Sequence, residues 1–140
     1  MKYAIAVHGT RGDVEPATAI ALELLRRGHE VRMAVPPNLV AFAESAGIPS
    51  PVLPYGTDSQ LQLEADGFRD WWKLRNPLTV VEKTRELMIG DWPQMGETLA
   101  AVATGADLIL TGTTYQEVAA NVAESRDIPM AALHYFPART

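Results

Sequence analysis

The sequence contains no cysteine among its 140 residues, which excludes disulfide bonds and metal sites built on thiolates. It also contains no run of 18 apolar residues, so we expect no membrane-spanning helix. Positive charge is scarce, because 12 Lys and Arg stand against 17 Asp and Glu and leave a net charge of -5. A nucleic-acid-binding surface needs clustered basic residues. We therefore expect no nucleic-acid partner.

The amino terminus lacks the features of a secretory signal. Met1, Lys2 and Tyr3 lead directly into a strand-like segment, and no small-residue cleavage site follows. The absence of cysteine is consistent with the reducing environment of the cytoplasm. We expect a cytoplasmic protein, and we leave open a peripheral contact of the full-length protein with the inner face of the membrane.

Short apolar runs alternate with helical patterns along the chain, whose hydrophobic content of 47% is enough for one packed core. Strands are predicted at 2–8, 30–35, 107–111 and 129–136, and a short or edge strand in the proline-rich stretch 48–55. Helices are predicted at 16–27, 39–46, 77–89 and 93–103, and a further one follows residue 114. This alternation predicts an α/β fold: a doubly wound, Rossmann-like parallel sheet of strand order 3-2-1-4-5.

Three of these helices have predicted amino-terminal caps. Asp13 is a candidate cap for a helix whose first turn contains Pro16, and Asn38 is one for the helix over 39–46. The pattern Thr114-Tyr115-Gln116-Glu117 fits a capping box, in which the Thr and Glu side chains each satisfy a free backbone N–H.

In the predicted sheet, three separated stretches meet at one crevice. The loops after strands 1 and 4, at 9–15 and 112–114, flank the topological switch point, where ligands bind. Residues 134–137, at the end of strand 5, open toward the same edge. Candidate ligand-lining residues in these stretches and in the polar stretch 56–76 are Thr113, His134, Phe136, Trp71 and Trp72. For both tryptophans, anchoring of a helix in the core is an equal alternative to stacking on a flat apolar ligand. His8 is expected to be packed or bonded to a loop.

The glycines of the first loop do not form a dinucleotide-binding fingerprint. Gly9 and Gly12 lack the further glycine of G-x-G-x-x-G, and Val35-Pro36-Pro37 stands where an acid should bind the ribose. No Walker sequence G-x-x-x-x-G-K-[ST] occurs either. The pair Asp13 and Glu15 resembles a metal-binding D-x-D only superficially, and helix-starting acids explain it better.

Asp13 has two interpretations from the residues alone. As a cap, it accepts backbone N–H bonds at the start of a helix. As an ionised carboxylate beside a ligand crevice, it can take a proton from an attacking hydroxyl. The two roles are compatible, because one oxygen can accept N–H bonds while the other faces the crevice.

The sequence resembles a known family at "GTRGDVEP", "RRGHEVRMAVPP" and "ESAGI", and again at "ADLILTGTTYQEVAANVAESRDIPMAALHYFP". In order and spacing these stretches are similar to the amino-terminal domain of GT-B-fold glycosyltransferases of the family 28 type. This group includes the sterol glucosyltransferases and the antibiotic-aglycone glycosyltransferases of actinobacteria. The resemblance implies that residues 1–140 are one acceptor-binding domain, with a variable acceptor region at about 56–103, and that the donor-binding domain is absent.

The same resemblance implies a chemistry for the first loop. Asp13 would be the general base of an inverting, metal-independent transfer of a hexose to a hydroxyl of an apolar acceptor: a lipid, a sterol-like molecule or a natural-product aglycone. The loop of Gly9, Thr10, Arg11 and Gly12 would approach the phosphates of the co-substrate, a UDP- or TDP-linked sugar. No further cofactor is implied. The acceptor would contact Trp71, Trp72, Thr113, His134 and Phe136.

The chain carries no counterpart of the donor-binding half, so we expect residues 1–140 alone to be inactive. The alternative is a stand-alone Rossmann-like binding module, or a subunit of a split glycosyltransferase that acts only with a partner.

Overall fold

Five parallel strands form one sheet in the computed structural model, which describes residues 1–60 and 90–137. The strands are β1 (Lys2–Ala6), β2 (Glu30–Val35), β3 (Leu53–Pro54), β4 (Leu108–Thr111) and β5 (Met130–Ala132). They are paired in the order β3-β2-β1-β4-β5, and every pair is parallel. The predicted order 3-2-1-4-5 is confirmed, and so is the short edge strand in the proline-rich stretch.

Within the described residues, four helices cover the two faces of the sheet: α1 (Arg11–Arg26), α2 (Val40–Ser45), α3 (Trp92–Val102) and α4 (Gln116–Arg126). A 3₁₀ turn, Pro37–Leu39, precedes α2. Helices α1 and α2 pack together on one face, while α3 and α4 pack together on the other. The predicted helix at 77–89 and both Trp71 and Trp72 lie outside the described residues.

Side chains of the central strand alternate between two apolar clusters, as the period-2 pleat of a strand buried on both faces requires. Ile5 and Val7 belong to the cluster under α1, whereas Ala4 and Ala6 belong to the cluster under α3 and α4. The α1-side cluster, as we call the first, also contains Val14, Ala17, Ala21, Met33, Val35 and Leu110.

All three predicted helix caps are wrong. Helix α1 begins at Arg11 with Thr10 as its cap, five residues before the expected Pro16. Pro16 instead lies inside the helix, where its missing N–H costs only the bond to the carbonyl four residues earlier. Asn38 lies inside the 3₁₀ turn and bonds to Ser59 rather than to a helix.

The capping box predicted at Thr114 is also absent. Helix α4 starts at Gln116, after Tyr115, whose backbone is left-handed with φ of 61°, and no side-chain hydrogen bond caps the helix. The predicted buried face of this helix is confirmed, with Val118, Ala119, Val122 and Ala123 buried. Strand β5 ends at Ala132, four residues before the predicted Phe136.

Candidate functional site

The loop after β1 is held in place by the carboxylate of Asp13. Its Oδ2 accepts hydrogen bonds from the backbone N–H of Thr10 at 2.9 Å and from the Thr10 hydroxyl at 3.3 Å. Asp13 is the third residue of α1, so its side chain reaches back to the cap residue, as the acid of a capping box does. The prediction that Asp13 itself is the cap is wrong, but its carboxylate does help to start the helix.

Asp13 keeps one oxygen for other partners. The residue is partly buried, and both of its side-chain hydrogen bonds fall on Oδ2. Within the described part of the chain, Oδ1 makes no hydrogen bond. One side chain therefore has the two faces that a structural and a chemical role together require.

Gly9 is required by this arrangement for two reasons. Its φ of +142° is a conformation that residues with a side chain rarely adopt. A Cβ at Gly9 would also overlap Oδ2 of Asp13. The Asp13 carboxylate therefore occupies the space that the side chain of any other residue at position 9 would need.

The rest of the predicted phosphate-adjacent loop is open to solvent. Thr10, Arg11 and Gly12 are all exposed at the amino terminus of α1. The Arg11 guanidinium pairs with Glu15 at 3.1 Å and lies 4.7 Å from the centre of the Phe42 ring. The side chain of Arg11 is thus turned along α1 and toward α2.

His8, at the end of β1, is a packed residue bonded to a loop, as expected. It is only 3% exposed, and its Nε2–H donates to the carbonyl of Thr57 at 3.0 Å. Its ring meets the Tyr115 ring edge-on, with 5.0 Å between centroids. Burial lowers the pKa of His8 below its usual value. A neutral imidazole donates from one nitrogen only, which fits the bond to Thr57.

Gly56 makes room for this histidine. A Cβ at Gly56 would come within 2.6 Å of the His8 ring, and its φ is +71°. Nearby, Asn38 holds the same segment by two hydrogen bonds of 3.1 Å to the side chain and backbone of Ser59. The stretch from Gly56 to Ser59 is therefore fastened to the ends of β1 and β2.

The carboxyl ends of β4 and β5 approach the same edge. A Cβ at Gly112 would lie 2.8 Å from Val7, so the chain after β4 runs tightly against the end of β1. Thr113 follows and is partly buried, whereas His134 and Phe136 are exposed. Contact of these three residues with an acceptor stays a prediction.

Tyr135 is the residue that sequence reasoning passed over at this edge. It packs on the α1-side cluster together with Leu133, and the charge of Asp13 acts on it. Burial, and to a lesser degree Asp13, raise the pKa of Tyr135 to about 12. The signal was available, because alternation continued from Leu133 places Tyr135, not His134 or Phe136, on the α1 face.

The acids of the first loop do not converge on a cation. Val14 is buried between Asp13 and Glu15, and Glu15 is exposed and paired with Arg11. In residues 1–60 and 90–137 no three His, Asp or Glu side chains are grouped so as to hold a metal ion.

A cavity of about 460 Å³ lies at the opposite edge of the sheet. Its lining includes Leu25, His29, Arg32, Pro51 and Val102, which stand at the amino ends of the strands or next to them. Ligands of parallel sheets bind at the carboxyl ends, so we place the candidate site at Asp13 and not in this cavity. None of the helices described is long and apolar enough to cross a membrane.

A family model for the glycosyltransferase family 28 N-terminal domain matches residues 3–138. The chain belongs to this family. The fold found above, with its order 3-2-1-4-5, is the one expected of half of a GT-B glycosyltransferase, and that expectation is confirmed.

Relatives and solved structures agree with the assignment. An uncharacterized glycosyltransferase of Mycobacterium tuberculosis is 49% identical over 140 residues, which are 99% of this chain and 33% of the relative. A sterol 3-beta-glucosyltransferase of Arabidopsis thaliana is 48% identical over 48 residues, or 34% of this chain and 8% of that protein. The chain spans about a third of the length of the first of these curated relatives.

Two solved structures show the same fold. The Streptomyces glycosyltransferase SsfS6 superimposes with a TM-score of 0.68 at 23% identity, over 96% of this chain and 39% of that one. The glycosyltransferase VinC, solved in complex with dTDP, gives a TM-score of 0.63 at 20% identity, over 96% of this chain and 34% of that one.

Proposed function

We propose that this family 28 domain provides the acceptor side of an inverting, metal-independent hexosyltransferase, with Asp13 as the general base. The donor, a UDP- or TDP-linked sugar, would be bound by a second domain in the remaining two thirds of a full-length protein. The observation that carries the proposal is that the two carboxylate oxygens of Asp13 have different surroundings. Thr10 holds Oδ2, while Oδ1 stays without a partner among the described residues at the switch-point edge.

The chemistry asked of Asp13 is one proton transfer. The acceptor hydroxyl gives its proton to Oδ1 as its oxygen forms a bond to the anomeric carbon of the sugar. The bond from that carbon to the diphosphate breaks, and the electron pair leaves with the nucleoside diphosphate. A single displacement of this kind inverts the anomeric centre. A positioned base contributes roughly 10²–10⁴-fold to such a rate.

The loop before α1 suits a neighbouring diphosphate. Thr10 gives its backbone N–H to Asp13, so the backbone N–H groups of Arg11 and Gly12 and the positive end of the helix dipole favour an anion here. These residues are exposed, so a second domain can bring phosphates to them. The dTDP in the VinC structure supports a nucleotide-linked donor for a protein of this fold.

An apolar acceptor is supported by two observations. Phe136 presents an apolar ring that is 54% exposed at the edge where β5 ends, and a matched relative is a sterol glucosyltransferase. We propose a lipid, sterol-like or natural-product hydroxyl compound as acceptor, contacted by Thr113, His134 and Phe136, with Trp71 and Trp72 as further predicted contacts.

The test is Asp13→Asn in the full-length protein, incubated with UDP-glucose or TDP-glucose and with cholesterol or a polyketide aglycone. The Asn side-chain oxygen can still accept the Thr10 N–H bond, so we expect the fold and the melting temperature to persist. Because an amide cannot take the proton, kcat should fall by roughly 10²–10⁴-fold. Mass spectrometry of the glycosylated acceptor measures the rate.

Glu15→Gln is the matched control, since Glu15 is an exposed acid two residues along the same helix. Its turnover should stay within about twofold of the wild type. If the Asp13→Asn variant kept the kcat of the wild type, Asp13 would have only its role in starting the helix. Absence of any sugar transfer by the wild type, with both donors and both acceptors, would contradict the proposed function itself.

The second candidate is a subunit that completes a glycosyltransferase only with a separate donor-binding partner. The chain spans about a third of the length of its curated relatives, and both candidates place the donor-binding domain outside these residues. The genomic reading frame separates the two: a frame that continues beyond Thr140 through a donor-binding domain favours one enzyme. A stop codon, with a donor-domain gene nearby and co-purification of the two products, favours a split one.

A further inference from the structure

Tyr135 ends in a polar atom whose hydrogen-bonding capacity is unused. Its hydroxyl is shielded from solvent and has no hydrogen-bond partner among the described residues. A hydroxyl buried without a partner is unfavourable, and proteins leave few such groups. An orphaned group of this kind beside a candidate general base calls for a role in the bound state.

The location of Tyr135 follows from the strand register. Ala6, Thr111 and Ala132 lie in one row across β1, β4 and β5. The N–H of Leu133 still bonds to the carbonyl of Thr111 at 2.7 Å, so the extended chain continues past β5. Two residues later, Tyr135 returns to the α1 face and packs on the α1-side cluster.

This cluster is also the one on which the Asp13 loop rests. Val7 precedes the loop, and Val14 follows Asp13 directly in α1; both are fully buried members of the cluster. Tyr135 and Asp13 therefore lie on the same face of the sheet, at its carboxyl edge. Their proximity rests on packing, and the effect of the Asp13 charge on Tyr135 agrees with it.

We propose that Tyr135 is a positioning residue whose hydroxyl donates a hydrogen bond to the acceptor's hydroxyl oxygen and so holds that oxygen beside Asp13. The inference rests on the proposed function and adds a residue to it. The two side chains are complementary: the acceptor hydroxyl donates its proton to Oδ1 of Asp13 and accepts a hydrogen bond from Tyr135. A bound acceptor would supply the hydrogen-bond partner that the Tyr135 hydroxyl lacks among the described residues.

The protonation state of Tyr135 suits this task. Since its pKa is raised to about 12, the phenol keeps its proton across the neutral range and can donate at every stage. It takes no part in the proton balance, because the acceptor's proton goes to Asp13. The tyrosine bond places the oxygen for attack on the anomeric carbon.

The experiment compares Tyr135→Phe with Tyr55→Phe in the full-length protein. Tyr55 is the matched control: its hydroxyl is also buried without a partner among the described residues, but it lies in the cluster under α3 and α4. Both substitutions remove an unpaired hydroxyl, so neither should lower the melting temperature. Only Tyr135→Phe should lower kcat, by about tenfold, the worth of one hydrogen bond, with the KM for UDP-glucose or TDP-glucose unchanged.

A second measurement checks the placement without catalysis. With ring-labelled tyrosine followed by NMR, replacing Asp13 by Asn removes a negative charge near Tyr135. The Tyr135 signal should then titrate at lower pH, and the Tyr55 signal should not move.

Each failure has its own meaning. A full-length wild type that transfers sugar while Tyr135→Phe keeps its kcat overturns the role of Tyr135 and leaves Asp13 untouched. An unmoved Tyr135 titration in Asp13→Asn overturns the placement. A wild type that transfers no sugar overturns the proposed function, and the role of Tyr135 with it.

Discussion

Asp13 combines a structural and a chemical role at the scale of one side chain. Its Oδ2 closes the turn onto Thr10 and so helps to start α1, and the proposed chemistry needs only Oδ1. The sequence supported both roles, because Asp is favoured at helix starts and suits proton abstraction. It could not show which oxygen does which, since that depends on where Thr10 lies.

Gly9→Ala should abolish this arrangement. The new Cβ would overlap the Asp13 carboxylate, and the backbone would have to leave φ of +142°. We expect a loss of stability of about 1–3 kcal/mol from strain and a fall in kcat of the full-length enzyme of at least about tenfold, since the base is displaced. Urea unfolding and the transfer assay measure the two effects.

Gly28→Ala separates backbone strain from displacement of the base. Gly28 also has a positive φ, +83°, but a Cβ there would meet nothing within 4 Å. Its substitution should cost about 1 kcal/mol of stability and leave kcat unchanged. Equal losses of activity in both variants would contradict the explanation given for Gly9.

At the scale of elements, two side chains at the carboxyl edge of the sheet bind the segment that follows β3. His8 follows β1 and binds the segment after β3 through Thr57, while Asn38 follows β2 and binds the same segment through Ser59. The segment from Gly56 to Ser59, which begins the predicted acceptor region, is thus held against the candidate site by these hydrogen bonds.

His8 makes the stability of the protein depend on pH. Burial lowers its folded-state pKa, so as pH falls below about 6.5 the unfolded chain binds a proton that the folded chain resists. Stability is therefore full above that pH and declines as the pH falls toward the folded pKa. His8→Gln keeps a donor for Thr57 without titrating. The loss of unfolding free energy between pH 7.5 and 5.5 should be smaller in this variant than in the wild type.

His134→Gln is the control for this titration, because His134 is exposed at the same edge. Comparing the pH profile of His8→Gln with that of this variant separates the effect of removing His8 from that of removing any histidine at this edge. Identical pH profiles for His8→Gln and the wild type would show that His8 does not carry the effect.

The sequence predicted these elements unevenly. Buried strands were found because apolar runs bounded by glycine leave few alternatives, and β2 matches its predicted limits. Helix starts failed at Asp13, Asn38 and Thr114, since these residues bond to partners elsewhere or to none that the pattern shows. Tyr135 was missed because residues 134–137 were treated together as one stretch that opens toward the crevice. The alternation of side chains between the two faces, which places Tyr135 on the α1 face, was not applied to them.

At the scale of the whole molecule, one parallel sheet provides half of the proposed enzyme. Its carboxyl edge carries Asp13, the proposed base, and the exposed amino terminus of α1 is accessible to a second domain. The predicted single domain over 1–140 and its variable region at about 56–103 stay predictions, as do the sugar and the acceptor.

Residues 1–140 alone should not turn over UDP-glucose or TDP-glucose, because the proposed donor site lies in another domain. The full-length protein should release nucleoside diphosphate under the same conditions, which a coupled assay of that product measures. Turnover by the 140-residue chain would show that it holds a donor site of its own.

The small side chains at the centre of the sheet have a consequence for evolution. Ala4, Ala6 and Ala34 give the face under α3 a low relief, and Met95 and Leu99 of α3, together with Tyr55 after β3, fill the layer above it. A smooth surface accepts a different helix without compensating changes in the strands beneath. Changes in α3 therefore need no matching changes in the strands, and the strands that lead to the Asp13 loop can stay as they are.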